Sequence, residues 1–404
     1  MPTASGAERA ATDPSPTERR VAPRDEGGPC DQHLEDKPTG AENSTEPGRF
    51  GTYAHRMSTH LYPTKPRPGD RVAVLSPSCG LPGILPLPYE LGLRRLREEF
   101  GLDPVEYPTT RKMGSTPQER AADIHAAFVD PDIKAVISSI GGDDQITVLP
   151  HLDRDLLRAN PKPFFGYSDC TNLLVFLGNL GIVGYHGGSV MVEMGRPGAM
   201  HPLTADSLRA ALFTRGAFEL TPSKETNGAD GRWEEPRTFD SEPGMLPCDG
   251  WIWHNADGRA VQGASWGGNL EILSWLLMAD RGIQPVAAYA GRVLFLETSE
   301  EMPSADEVYR ILRNMGERGL LRQFPALLMG RAKNWSFDRP LAVEQGERYR
   351  EEQRNAVIRA LSEYAPETMA VFDIDLGHTD PQQIIPFGGH IDVDGVGRRI
   401  VVTY

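Results

Sequence analysis

The fold the sequence predicts is α/β: an N-terminal doubly wound parallel-sheet domain followed by a C-terminal α/β domain. Three observations predict it. The chain's 404 residues exceed what a single hydrophobic core usually serves. In the first half, short β-branched apolar runs alternate with amphipathic stretches of helical spacing, the pattern of parallel strands covered by helices on both faces. After a polar, Pro/Gly-rich interval, the same kind of alternation resumes.

Taken in order, residues 1–60 are rich in Pro, Gly, Glu, Asp, Arg and Thr and nearly lack aliphatic side chains. Burial there cannot offset the entropy of ordering, so this extension is expected to be disordered. Folding is expected from DRVAVLSPS (Asp70 to Ser78), a β-branched run closed by turn residues. PYELGLRRLREEFG reads as an amphipathic helix stopping at Gly101, and DPVEYP as a second short strand. STPQERAADIHAAFVD opens on a Ser/Thr cap signal and continues with helical spacing. IKAVISSIGG (Ile133 to Gly142) is a buried strand ending in a glycine pair; a third helix follows, and PFFGYSD is a fourth strand feeding the helix TNLLVFLGNLG. Residues 61–215 make up this first domain, and 216–260 read as a linker or long excursion. In the second domain, 261–404, WGGNLEILSWLL turns into a buried helix, GRVLFLETSEE is a strand, EVYRILRNMGERG a helix and FPALLMGRA another strand. The segment from Met369 to Tyr404 supplies a strand, a loop and a terminal hairpin.

Composition excludes several function classes. A formal charge of −14 without any basic stripe argues against a nucleic-acid partner, which wants a basic face. Cys30, Cys79, Cys170 and Cys248 are scattered without CxxC or His-rich spacing, so neither a metal site nor a disulfide framework is expected, and no cofactor. No apolar signal-peptide core and no run of eighteen apolar residues is present, so the expectation is a cytoplasmic protein with no membrane partner.

Three residues at element ends carry candidate chemistry. Ser168, in GYSD, lies between a strand and a helix, where a serine is commonly a plain N-cap; the pattern is not the GxSxG nucleophile elbow. Gly141-Gly142, followed by Asp143, end another strand, where glycines let backbone amides approach a developing oxyanion or merely make a tight turn. Glu297 closes the nearly all-apolar VLFLE and there needs a partner or an elevated pKa, unless it is an ordinary surface carboxylate. His378, in DLGHTDP, is either a base or an exposed loop histidine. Ser168, Glu297 and His378 would supply the hydroxyl, carboxylate and imidazole that nucleophilic catalysis requires. Among the remaining candidates, His186 reads as supporting or structural, His390 as a strand residue and Cys170 as a buried small hydrophobe. Trp233 and Trp266 offer a face to a nucleobase, with core packing as the plainer role for both.

The stretches RAADIHAAFVDPDIKAVISSIGG, PFFGYSDCTNLL, WGGNLEIL, VLFLETSEE and LGHTDPQQIIPFG, in that order, resemble the LD-carboxypeptidase family of serine peptidases, and within it the branch of microcin C self-immunity peptidases. The resemblance spans most of residues 65–404. It implies a site at the interdomain cleft, with Ser168 as nucleophile, Glu297 as the acid that orients the base and His378 as general base. The oxyanion hole would come from the backbone amides of Gly142 and Asp169, and Asp143, Trp233, Trp266 and Asn269 are the candidate substrate contacts. The implied partner is a small peptide-like or aminoacyl-nucleotide substrate, and the implied assembly a homodimer. Many cell-wall members resemble one another in carrying RGGYG where this chain has IGGDD, which, with the GHTDP and ETSEE forms, favours the microcin branch over the alternative, a murein tetrapeptide LD-carboxypeptidase. Members that accept acidic aminoacyl groups have a basic residue shortly after the glutamate. Thr298, Ser299, Glu300, Glu301 and Met302 provide none, which counts against an acidic substrate side chain. A non-catalytic binding homologue is a further alternative, opposed by the intact triad positions.

Overall fold

A computed structural model describes residues 60–404; the extension expected over 1–60 lies, but for its last residue, outside the described residues. The first half builds strands β1 (Arg71–Leu75), β2 (Asp103–Glu106), β3 (Ile133–Ser138), β4 (Phe164–Gly166) and β5 (Gly184–His186). Between and after them run α1 (Pro86–Glu98), α2 (Pro117–Val129), α3 (Arg154–Ala159), α4 (Thr171–Asn179) and α5 (Pro202–Phe213). The helix start read from STPQE is a capping box: the Glu119 amide donates to Thr116 Oγ1 at 3.2 Å and the Thr116 amide to Glu119 Oε2 at 2.8 Å. The five strands are parallel in the order β2-β1-β3-β4-β5. Buried on both faces, β1 and β3 are apolar apart from Arg71, Lys134 and Ser138. Strand order reverses between β1 and β3, and in such sheets ligands bind beyond the carboxyl ends of the strands at that reversal.

The second half adds β6 (Ala217–Leu220), β7 (Glu225–Thr226), β8 (Leu246–Pro247), β9 (Ile252–His254), β10 (Ala260–Asn269), β11 (Val293–Glu297), β12 (Ala326–Gly330), β13 (Met369–Ile374), β14 (Ile385–Phe387), β15 (His390–Asp394) and β16 (Arg399–Thr403). Its helices are α6 (Leu270–Met278), α7 (Ala305–Glu317) and α8 (Val343–Tyr364), the last two packed together. An eight-stranded sheet runs β6-β16-β15-β10-β11-β12-β13-β9, with β10 to β13 parallel and the flanks antiparallel. The expected terminal hairpin is β15–β16.

Two features correct the sequence reading. The interval 216–260, expected as a linker or excursion, supplies both outer strands of the second sheet, β6 and β9. These strands are only four and three residues long, largely unburied, and embedded in polar Pro/Gly-rich sequence, so they look like loop in sequence. The second difference is β14, which leaves the second half to pair antiparallel with β5 and become the sixth strand of the first sheet. Together the described residues form one compact unit. Among them no helix is long and apolar enough to cross a membrane.

Candidate active site

The loops beyond β1, β3 and β4 open on one cavity of about 940 Å³, lined there by Cys79, Gly141, Gly142, Asp143, Tyr167 and Ser168. From the second half, Glu300, Lys333, His378 and Thr379 line the same cavity. Its size suits a small-molecule substrate.

Ser168 is not a helix cap. It opens a single 3-10 turn, Ser168–Cys170, with φ +58°, and the cap position of α4 falls to Cys170. A non-glycine residue in the left-handed region costs on the order of 1–3 kcal/mol, strain that nucleophile turns commonly hold. Gly141 is required beside it: a Cβ there would lie 2.9 Å from Ser168 Cβ and 3.4 Å from the Asp169 amide nitrogen. The glycine turn and the Asp169 amide therefore face the same small volume next to the serine. The Asp169 side chain points elsewhere, buried, accepting from the Gln145 amide at 2.9 Å and Asn172 Nδ2 at 2.7 Å. Burial pushes its carboxyl up to about 6.

Across the cavity, Glu297 ends β11 with 1% exposure, and its Oε2 lies 2.6 Å from His378 Nδ1. Gly377 permits this approach: at φ +89°, a Cβ there would lie 2.6 Å from Glu297 Oε2. Burial alone would raise the Glu297 carboxyl, but the His378 imidazole outweighs it and holds the group below the usual carboxylate range. Burial likewise opposes charge on His378; Glu297, Glu300 and the hydrogen bond to Glu297 outweigh it and push the imidazole up to about 9. The other ring nitrogen, Nε2, is 3.3 Å from Glu300 Oε2. Tyr167, the residue before the serine, packs edge-on against the His378 ring at 5.0 Å between centroids. This contact ties the serine turn of one half to the histidine loop of the other.

The candidate substrate contacts divide. Asp143 and Trp233 line the cavity, whereas Trp266 and Asn269 lie outside its lining. Trp266 is 3% exposed, stacked on Phe324 at 5.8 Å and edge-on to Tyr289 at 4.8 Å. Asn269 caps α6, its Oδ1 accepting from the Ile272 amide at 3.0 Å, and stands in register with Glu297. His186 is fully buried, edge-on to Tyr167 and Phe295, and held neutral as burial pushes it down to about 4. His390 begins β15, away from the cavity, and Cys170 is wholly buried.

Several lining residues escaped the sequence reading. Glu193, on the loop after β5, accepts from the Ser189 amide at 2.7 Å, and burial pushes it up to about 7. Arg196 and Lys333 are buried cations: Arg196 meets Asp380 at 2.7 Å and Glu242 at 3.2 Å, and Lys333 meets Asp230 at 2.7 Å. No local pattern marks Glu193, Arg196 or Lys333, whereas Glu300, three residues after Glu297, lies in VLFLETSEE. Among the described residues, no group of three or more His, Cys, Asp or Glu side chains is arranged to hold a metal ion.

With this geometry in place, comparison with known proteins is informative. The family model for the LD-carboxypeptidase N-terminal domain matches residues 72–187, and that for the C-terminal domain residues 262–393. The chain is 25% identical to the microcin C7 self-immunity protein MccF of Escherichia coli over 292 residues, covering 71% of this chain and 79% of that one. It is 28% identical to a murein tetrapeptide carboxypeptidase of Pseudomonas aeruginosa over 289 residues, covering 70% and 80% respectively. The crystal structure of an MccF-like protein from Bacillus anthracis superposes with TM-score 0.73 at 23% identity, over 85% of this chain and all of that one. MccF in complex with aspartyl sulfamoyl adenosine superposes at 0.72 and 22% identity, over 85% of this chain and 98% of that one. These structural likenesses establish the fold. With both domain models matched in order on either side of the interval that carries the outer strands, the chain belongs to the LD-carboxypeptidase family.

Proposed function

We propose that the protein is a serine hydrolase that cleaves an amide bond in a small aminoacyl-nucleotide or peptide-like substrate. The observation that carries this reading is the 2.6 Å Glu297–His378 pair opening, together with strained Ser168, onto one cavity. His378 in its neutral form takes the Ser168 proton through Nε2 as the hydroxyl oxygen attacks the carbonyl carbon. Glu297 holds the ring through Nδ1 and stabilises the imidazolium that forms. The amides of Gly142 and Asp169 donate to the oxyanion. Collapse of the tetrahedral intermediate expels the amine, which takes the proton from His378. Water, deprotonated by the same imidazole, then attacks the acyl-enzyme, and Ser168 is regenerated.

Likeness to MccF, solved with aspartyl sulfamoyl adenosine, supports an aminoacyl-nucleotide substrate, and Trp233 in the cavity lining is positioned to meet a flat ring. Likeness to a murein tetrapeptide carboxypeptidase supports the second reading, removal of a terminal residue from a cell-wall peptide. Hydrolysis of an LD-linked tetrapeptide and of aminoacyl sulfamoyl adenosines, by the parent and by Ser168→Ala, decides between them. Ser168→Ala is expected to lose about 10⁴–10⁶ in kcat while retaining binding, and undiminished cleavage by that variant overturns the assignment. The homodimer is part of the same proposal and is read by light scattering.

A further inference from the structure

The cavity's charges are unbalanced in a way the hydrolytic machinery does not need. Asp143, Glu193, Glu234, Glu300 and Glu301 all line it. Its two buried cations are already engaged, Arg196 by Asp380 and Glu242, Lys333 by Asp230. An anionic substrate group entering here meets carboxylates and no uncommitted lysine or arginine among the described lining residues. Glu300 is the acid nearest the chemistry, its Oε2 3.3 Å from His378 Nε2. That nitrogen exchanges the proton with Ser168 and with the leaving amine, so a scissile amide in attack position lies within one hydrogen-bond length or so of the Glu300 carboxylate. Glu300 is also 55% exposed in its side chain, which leaves its outer oxygen open to a second partner. Thr379, the residue after His378, also lines the cavity, and its Oγ1 is buried without a hydrogen-bond partner among the described residues.

We propose that Glu300 is a specificity-determining residue, selecting substrates that bring an ammonium or guanidinium beside the scissile amide. The inference rests on the serine-hydrolase reading and names its substrate class. A cation seated on Glu300 satisfies the carboxylate and draws it away from Nε2, freeing that nitrogen for the serine. A substrate with a free carboxylate at the same place is repelled, and this disfavours release of a C-terminal amino acid.

The test uses the full chain with lysyl-, alanyl-, aspartyl- and N-acetyl-lysyl-sulfamoyl adenosine. Hydrolysis is followed in the parent and in Glu300→Lys, and affinities are measured on Ser168→Ala. We expect kcat/KM for lysyl over aspartyl to exceed about tenfold in the parent, roughly the discrimination of one charge contact, and to fall below one in Glu300→Lys. The ratio between substrates cancels any effect common to all of them through His378. Nα-acetyl-lysyl keeps the side-chain cation and is expected to retain the preference over aspartyl, which supports the inference; a preference lost with it overturns the inference. Equal or better hydrolysis of the aspartyl compound by the parent overturns it, as does a ratio unmoved in both Glu300→Lys and Glu300→Gln. Should the parent cleave none of the four, the aminoacyl-nucleotide reading fails. The affinities on Ser168→Ala then still decide: tighter lysyl binding supports the selectivity, and equal or tighter aspartyl binding refutes it.

Discussion

Replacing Glu300 by Gln removes one of the two carboxylates that raise the His378 pKa while leaving the 2.6 Å Glu297–His378 pair in place. The size of the effect follows from the 3.3 Å separation, and with the Glu300 side chain 55% exposed but that of His378 only 9%, full aqueous screening gives its lower bound. Two unit charges at that distance in water interact by roughly 1.3 kcal/mol, equivalent to about one pKa unit. The imidazole, pushed up to about 9 in the parent, is therefore expected lower in the variant by about one unit, with the difference shrinking at high salt. Only neutral His378 can take the serine proton, so reactivity rises with pH through this value. The assay needs no substrate: the second-order rate of Ser168 phosphonylation by a fluorophosphonate ester is followed from pH 5 to 10.5. The inflection should lie well above the ordinary 6.5 in the parent and move down by about one unit in Glu300→Gln. A parent inflection at or below 6.5, or one in the variant that stays put or moves up, refutes the reasoning.

Three further outcomes follow from the geometry. Glu271 is raised to about 7, chiefly by burial, with Oε1 accepting from Ser299 and Oε2 buried without a partner. An acid whose folded pKa is raised binds more protons folded than unfolded, so its contribution to stability is lost as pH climbs from about 4.5 to 7. Glu271→Gln should therefore raise thermal stability at pH 8 by about 1–3 kcal/mol and change little at pH 4, read by scanning calorimetry at both pH values. Ser168→Gly relieves the φ of +58°; hydrolysis should vanish while stability rises by about 0.5–1 kcal/mol, and a fall in Tm would count against backbone strain at that turn. Gly377→Ala forces a Cβ to within 2.6 Å of Glu297 Oε2 at φ +89°. It should cost about 1–3 kcal/mol and shift the phosphonylation inflection downward as the carboxylate is displaced from His378; an unchanged pH profile speaks against that contact.

How far the sequence foretold this structure depended on whether local pattern or distant pairing decided each element. Strands β1, β3, β4 and β11 were legible because they are buried on both faces and read as short, mainly apolar runs. The first turn of α2 was legible because a Ser/Thr-to-Glu spacing has a local hydrogen-bond meaning. Strand β10 was not, since its GASWGGN end lacks the β-branched alternation that marks a strand; neighbours on both sides, β11 and β15, hold it extended. At the site, Ser168, Glu297 and His378 stand at element ends in recognisable motifs. Whether Ser168 was a cap or a strained turn was decided by its backbone angle, which no composition reveals. Trp266 and Trp233 looked alike in sequence, and only packing sent one into the core beside Tyr289 and Phe324 and the other to the cavity wall.

Strand β14 has a consequence for when this protein can work. It begins seven residues after His378 and completes the sheet that carries Ser168. During synthesis the first sheet must wait, one edge bare, until residues 385–387 have left the ribosome. The arrival of that last strand also anchors the downstream end of the histidine loop. A chain cut short before residue 385 has neither a finished first sheet nor an anchored histidine loop.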